Sequence, residues 1–208
     1  MKNRLTEYLI KKYNPESMIV YGSYADGTAG DESDFDALLI GGNKKLHDSS
    51  SVENVTLDVF VYPSGYFDSE YEIDEIVQIF DGDIILDKDG TAAKIRAAAN
   101  EYINSLPPRS DIENRENVNW CFKMMNRAAR NDAEGLFRRH LVLTDSLMIY
   151  YDILRKRYFG PKKALRMMEN EDPASYALYF AALGGRSLKS LENWLKHLEN
   201  MLPDNTRA

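Results

Sequence analysis

The sequence has few of the residues that form covalent cross-links or zinc sites. Among 208 residues there is one cysteine, Cys121, and there are only three histidines. A lone cysteine forms neither an internal disulfide nor a multi-cysteine zinc site. We expect Cys121 to pack in a hydrophobic core, because it lies between two aromatic residues of a helical pattern. The histidines are too scattered along the chain to indicate a metal site; they are His47, His140 and His197.

Long apolar runs are also absent. The most apolar stretch, LVLTDSLMIYY, is interrupted by polar residues and is shorter than a membrane span. The first segment, MKNRLTEYLIKKY, is charged throughout and does not resemble a signal peptide. We therefore expect a cytoplasmic protein with no membrane partner.

The net charge of -7 is unevenly distributed along the chain. Residues 1–108 contain 9 Lys and Arg against 20 Asp and Glu, whereas residues 109–208 have a basic excess. This asymmetry suits a cleft in which carboxylates bind metal ions and cations contact phosphates, although random surface composition produces it equally well. The overall acidity disfavours polymeric nucleic acid as a partner.

Helical and strand patterns alternate up to Leu106-Pro107-Pro108, and only helical patterns follow. We predict helices over 3–13, 69–80 and 91–105, strands over 18–21, 34–40, 56–62 and 83–87, and a mobile hairpin loop over 41–54. Beyond the prolines, we predict helices from Ser110 to about Asn131 and over 132–159, 162–170, 174–183 and 187–201. The fold class is α+β, with a domain over 1–108 followed by an all-helical bundle over 109–208.

The segment YGSYADGTAGDESDFDALLI, residues 21–40, has the most informative pattern. Gly22-Ser23 ends a strand and begins a helical turn, where backbone N–H groups can bind phosphate oxygens. Asp34 and Asp36 are two residues apart on a predicted strand, so both carboxylates lie on one face.

A third acid, Asp58, lies on the predicted strand 56–62. If this strand pairs with 34–40, the three carboxylates can converge. Carboxylates held side by side repel each other unless a cation lies between them, and Mg²⁺ prefers such oxygen ligands. Three carboxylates could hold two Mg²⁺ ions about 4 Å apart, as in sites of phosphoryl displacement.

Residues 18–62 resemble the DNA polymerase beta-like nucleotidyltransferase superfamily. The resemblance rests on Gly22-Ser23, Gly27, Ser33-Asp34-x-Asp36 and Asp58. It implies a small mixed sheet flanked by helices, in which Asp34, Asp36 and Asp58 hold two Mg²⁺ ions and Gly22 and Ser23 bind the phosphates of a nucleoside triphosphate. Many members have an arginine where this chain has Asp26, so that phosphate contact is missing or comes from another residue.

The helical half has a second resemblance. Residues 156–168, KRYFGPKKALRMM, resemble a segment of the helical domains fused to small bacterial nucleotidyltransferases, including the antibiotic-modifying ones. Such domains close over the substrate cleft and sometimes contribute a catalytic carboxylate.

Three residues of the helical half are candidates for the site. Lys162 and Lys163 lie near a helix start, where they either bind phosphates or form a solvated face. Asp145 lies in an apolar helical stretch and is a candidate general base. An ion-paired stripe with Arg138 and Asp152 is its structural alternative.

The two resemblances imply transfer of a nucleoside monophosphate, AMP from ATP, to a hydroxyl of a small acceptor, with release of pyrophosphate. The acceptor would be a molecule similar to an aminoglycoside or lincosamide. The alternatives are transfer to a protein or RNA in a toxin–antitoxin-like system, and a nucleotide-binding regulatory module. The sequence leaves open whether the protein is a monomer or a homodimer.

Overall fold

The computed structural model describes residues 1–130, 132–185 and 187–203. The chain divides into two compact units, Met1–Leu106 and Pro107–Ala208, close to the predicted boundary at residue 108. Among the described residues, every helix is too short or too polar to span a membrane.

The first unit contains a mixed sheet and two α-helices. Its strands are β1 (Ser17–Tyr21), β2 (Phe35–Ile40), β3 (Leu46–Asp48), β4 (Ser51–Val52), β5 (Val55–Tyr62) and β6 (Asp83–Asp87), and its helices are α1 (Lys2–Tyr13) and α2 (Thr91–Ser105). The strand order is β3-β5-β2-β1-β6, with β4 also paired to β5. Only the β2–β5 pair is parallel among these strands. The predicted α+β class with a small mixed sheet is confirmed.

Both faces of the sheet are covered, because alternate residues of each strand point to opposite sides. Phe35, Ala37 and Leu39 of β2 pack in one core with Leu5 and Leu9 of α1. The intervening residues Leu38 and Ile40 belong to a second core with Ile76, Ile79 and Ile95. By the same alternation Asp36 lies on the side of β2 that carries Leu38 and Ile40, and it pairs with Asp58 of β5. Both carboxylates therefore lie on the sheet face that packs in the second core.

The predicted helix over 69–80 is wrong. The segment instead forms two 3-10 turns, Ile73–Glu75 and Val77–Asp81, which Ile76 separates with φ -126° and ψ 7°. Ile76 and Ile79 are buried in the core that α2 covers. Apolar spacings of three residues fit a 3-10 turn as well as an α-helix, so tertiary packing decided between them.

The sequence predicts a mobile hairpin loop over 41–54. The structure instead has two short strands in this segment. β3 and β4 both pair antiparallel with β5. Asp48 of β3 is buried and accepts hydrogen bonds from Lys12 Nζ and Tyr13 Oη, both at 2.7 Å. These bonds to α1 fix the strand although its sequence is polar.

The second unit is helical. It comprises α3 (Asp111–Ala128), α4 (Ala133–Ile153), α5 (Pro161–Glu171), α6 (Pro173–Gly184) and α7 (Leu188–Met201). At its centre the buried Trp194 donates to Ser146 Oγ at 2.9 Å, and Tyr179 donates to the Leu143 carbonyl at 2.8 Å. Cys121 is completely buried in this core, which confirms its predicted packing role.

Helix α4 ends at Ile153 and not at the predicted residue 159. Arg155 adopts a left-handed conformation with φ 57°, and the Lys156 N–H bonds back to the Tyr151 carbonyl at 2.9 Å. This termination is usually made by glycine, and the sequence has no glycine between Gly135 and Gly160. Asn131, the predicted end of α3, lies outside the described residues.

We expect Ser110→Ala to destabilise the helical unit by about 1 kcal/mol, because it removes a helix cap. Ser110 Oγ accepts from the Glu113 N–H, and the Glu113 carboxylate accepts from the Ser110 N–H, which completes a capping box. Urea denaturation followed by tryptophan fluorescence measures the effect, since Trp120 and Trp194 both belong to this unit. Ser187→Ala is the control: Ser187 precedes α7 but makes no side-chain cap bond, so an equal loss there would contradict the capping argument.

Candidate active site

Two of the predicted acids lie side by side on neighbouring strands. In the parallel pair β2–β5, Asp36 is the direct partner of Asp58. Neighbouring strands are about 4.8 Å apart, and side chains at paired positions of parallel strands project from the same face. The predicted pairing of these strands is thus observed, and it brings two carboxylates together at one edge of the second core.

Gly22 follows β1 directly and lies against the Asp36 side chain. A Cβ atom built on Gly22 would lie 2.4 Å from Asp36 Oδ2, and the residue has φ +65°. The left-handed backbone favours glycine, and a side chain at this position would displace the Asp36 carboxylate. The next residue, Ser23, continues into a 3-10 turn over Gly22–Tyr24.

Tyr21 is a core residue that lies close to the two carboxylates. Its ring is almost fully buried, and its backbone pairs with Asp36 across the β1–β2 ladder. Burial raises the pKa of Tyr21 well above its ordinary value, and the negative charges of Asp58 and Asp36 add to that rise. The phenol therefore stays neutral beside the acidic pair.

Asp34 is placed differently from the other two acids. The strand β2 begins at Phe35, so Asp34 precedes it, and Asp34 is exposed. Within the described parts of the chain, no three or more His, Cys, Asp and Glu side chains form a group that could hold a metal ion. The structure brings Asp36 and Asp58 together but does not gather all three predicted ligands.

The loop between Gly22 and Asp34 is organised by its own polar side chains. Asp26 accepts from both the N–H and the hydroxyl of Thr28, at 3.0 and 2.5 Å. Ser33 Oγ accepts from the Gly30 N–H at 3.0 Å. Asp26, which replaces the arginine of many family members, thus stabilises a local turn.

The pair Asp36–Asp58 fits a magnesium ion by the chemistry of its donors. Carboxylate oxygens are the ligands that Mg²⁺ prefers, and the ion commonly takes only one or two protein carboxylates together with waters and substrate phosphates. Gly22 packs its backbone against Asp36, so the 3-10 turn that follows begins beside the carboxylate. Two facing carboxylates are therefore sufficient for a site of this type.

Asp145 lies in α4, within the helical unit, and is half-buried. Burial raises the pKa of its carboxyl, and the Arg109 guanidinium opposes that rise in part. The ion-paired stripe that was the structural alternative is not formed: Arg138 pairs with Glu134, and Asp152 pairs with Arg109 at 2.9 Å.

Lys162 and Lys163 lie in the first turn of α5, also in the helical unit. Lys162 is exposed, whereas Lys163 is half-buried and lies over the Phe159 ring with 5.2 Å between Nζ and the ring centroid. The two lysines are predicted phosphate ligands. They belong to a different unit from Gly22 and Ser23, the other predicted phosphate ligands.

Sequence reasoning missed one neighbour of the acidic pair, His47 of β3. Its Nε2 is 2.6 Å from Asp58 Oδ1. No sequence motif marks this histidine, because its position depends on how the edge strand β3 is registered against β5.

Comparison with known proteins defines the class. Residues 2–86 match the family model of the nucleotidyltransferase domain, and this range includes Gly22, Asp36 and Asp58. This part of the chain is a nucleotidyltransferase domain, and the predicted polymerase beta-like superfamily and enzyme class are confirmed.

Individual relatives add less detail. The chain is similar to the solved structure of a nucleotidyltransferase-like protein from Exiguobacterium sibiricum 255-15, with 11% sequence identity and a TM-score of 0.43. The similarity covers 97% of this chain and 72% of that chain. No protein of curated function matches the chain.

Proposed function

We propose that the protein is a magnesium-dependent nucleotidyltransferase that moves AMP from ATP to a hydroxyl of a small acceptor. The observation that supports this most directly is the facing pair Asp36–Asp58, with Gly22 packed against Asp36, inside a nucleotidyltransferase domain. A small acceptor suits a chain with a net charge of -7, since polymeric nucleic acid would be repelled. A hydroxylated molecule similar to an aminoglycoside or lincosamide is the acceptor class.

The residues of the first unit bind and orient the nucleotide. Asp34, Asp36 and Asp58 are the proposed ligands of two Mg²⁺ ions, which when bound would neutralise charge on the phosphates. Gly22 and Ser23 receive phosphate oxygens at the start of their 3-10 turn, because the first N–H groups of a helical turn have no carbonyl partner within it. Lys162 and Lys163 are proposed as further phosphate ligands.

In the proposed reaction the acceptor hydroxyl oxygen bonds to the α-phosphorus, and the bond from that phosphorus to the oxygen bridging to the β-phosphorus breaks. Pyrophosphate leaves with the electron pair of the broken bond. The proton of the hydroxyl passes to a general base, for which Asp145 is the candidate. Positioning and charge complementarity supply most of the rate enhancement.

If Asp145 is this base, we expect Asp145→Asn to lower kcat by about 100-fold, within the usual range for general-base catalysis. A carboxyl with a raised pKa keeps its proton to a higher pH than an ordinary aspartic acid. Activity should therefore fall as the pH drops below the raised pKa, and the variant should lack this acidic limb. A pH profile of kcat measures both effects.

Asp152→Asn is the matched control for that variant, because Asp152 lies on the same helix and burial also raises its pKa. We expect it to keep the wild-type pH profile, since its carboxylate is bonded to Arg109. Loss of the acidic limb in Asp152→Asn, with Asp145→Asn active, would reassign the base.

The proposed reaction is tested by incubating the protein with Mg²⁺ and each α-labelled ribonucleoside triphosphate. The acceptors are a panel of aminoglycosides and lincosamides, the protein itself and a cell lysate. We expect label to move from ATP to a small molecule, with pyrophosphate released and Asp58→Asn inactive. Label on a protein or RNA would replace the small-acceptor proposal with a toxin–antitoxin-like activity. Equal nucleotide binding by wild type and Asp58→Asn, without transfer, would indicate a regulatory nucleotide-binding module.

A further inference from the structure

The edge strand β3 extends the row of polar side chains that contains the acidic pair. In the antiparallel β3–β5 pair, His47 is the direct partner of Phe60. Phe60 and Asp58 are two residues apart on β5, so His47 projects from the same face as both. Its Nε2 reaches Asp58 Oδ1 at 2.6 Å, a short and strong hydrogen-bond distance.

Two contacts fix the orientation of the His47 ring. The ring stacks on Phe60 with 4.4 Å between centroids and 13° between planes, and its Nε2 bonds to Asp58. His47 is nevertheless 47% exposed and Asp58 is 42% exposed, so neither is simply buried in the core. An exposed histidine held by stacking and by a carboxylate is not needed to fill the interior.

The direction of the hydrogen bond follows from the acceptor. An ionised carboxylate only accepts, so Nε2 carries the proton and donates it to Oδ1. Within the described chain no other side chain bonds to Asp58, which leaves Oδ2 for a ligand outside the protein. Partners of this kind hold metal-binding carboxylates in one orientation, and their loss commonly weakens metal binding by about 10–100-fold.

We propose that His47 is a positioning residue that holds the Asp58 carboxylate in its cation-binding orientation, with Phe60 as the platform for the ring. This inference rests on the proposed function, because it takes Asp58 as a magnesium ligand. His47 acts through Asp58 and contacts neither nucleotide nor acceptor. The role belongs to a residue of an edge strand outside the Gly-Ser and Asp-x-Asp motifs.

The test is the affinity for Mn²⁺, measured without nucleotide by electron paramagnetic resonance of the free ion. We expect His47→Ala to raise the Kd for Mn²⁺ by about 10-fold or more, and the Mg²⁺ concentration for half-maximal transfer to rise in parallel. His47→Gln keeps an N–H donor at similar reach and should recover most of the affinity. Phe60→Leu should give an intermediate loss, because the ring loses its platform.

His140→Ala, in the helical unit, is the matched control and should bind Mn²⁺ as wild type does. Circular dichroism of each variant verifies that the fold is retained. Wild-type affinity in His47→Ala, with binding lost in Asp58→Asn, would overturn the role of His47 and leave the proposed function intact. Wild-type affinity in Asp58→Asn would show that Asp58 is not a metal ligand, and the proposed site would fail together with this inference.

Discussion

Replacing Asp36 by asparagine should lower nucleotidyl transfer by about 1,000-fold or more, which is the scale of losing a preorganised electrostatic contact at a phosphoryl-transfer site. Asp36 is central because it faces Asp58 on one side and Gly22 on the other. Asparagine has nearly the same volume, so the substitution removes the charge and leaves the packing of β2 unchanged. The initial rate of pyrophosphate release at saturating Mg²⁺ and ATP measures the effect.

Circular dichroism of Asp36→Asn verifies that the fold is retained. Asp83→Asn is the matched control, because the Asp83 carboxylate makes a surface ion pair with Lys2 on the edge strand β6. An active Asp36→Asn variant, or an Asp83→Asn variant that is equally impaired, would refute the assignment of Asp36.

Replacing Gly22 by alanine should reduce transfer by about 100-fold or more, as expected when a site for charge stabilisation is displaced. The added Cβ would lie 2.4 Å from Asp36 Oδ2, so either the carboxylate or the turn must move. The left-handed backbone adds a destabilisation of about 1–2 kcal/mol. Transfer activity and urea denaturation followed by far-UV circular dichroism measure the two effects separately.

Gly27→Ala separates those effects, since Gly27 has φ +74° but no atom within 4 Å of a built Cβ. This variant should lose similar stability and keep most of its activity at temperatures where it is folded. If Gly27→Ala were as inactive as Gly22→Ala, backbone strain alone would explain the loss. The contact between Gly22 and Asp36 would then have no role in the reaction.

Short sequence signals predicted most of the architecture because their physical causes are local. Ser110 and Glu113 cap α3 through bonds within one turn, and Asp172 before Pro173 begins α6 in the same way. Asp36 and Asp58 could each be assigned to a face of its own predicted strand, because strand alternation depends only on residue spacing. Whether the two strands pair depends on the tertiary structure. From the sequence, the convergence of the acids could be predicted only on the condition that the strands pair.

The errors arose where distant residues decide the conformation. Ile76 and Ile79 are placed by burial under α2, which an apolar period of three or four residues does not reveal. The strand β3 is fixed by bonds from Asp48 to Lys12 and Tyr13, more than 30 residues earlier in the chain. His47 was missed for the same reason, since its approach to Asp58 exists only once β3 is in register.

Synthesis on the ribosome leaves β1 with one side unpaired for an extended interval. Its residues pair with β2 on one side, but on the other side with β6, which ends at Asp87. All five residues of β1 are buried in the folded unit, so the incomplete nascent chain presents an apolar strand with open backbone groups. Such edges associate readily with other chains, and at about 5–20 residues per second the exposure lasts for seconds. The sheet around β1 therefore closes only after residue 87 has left the ribosome.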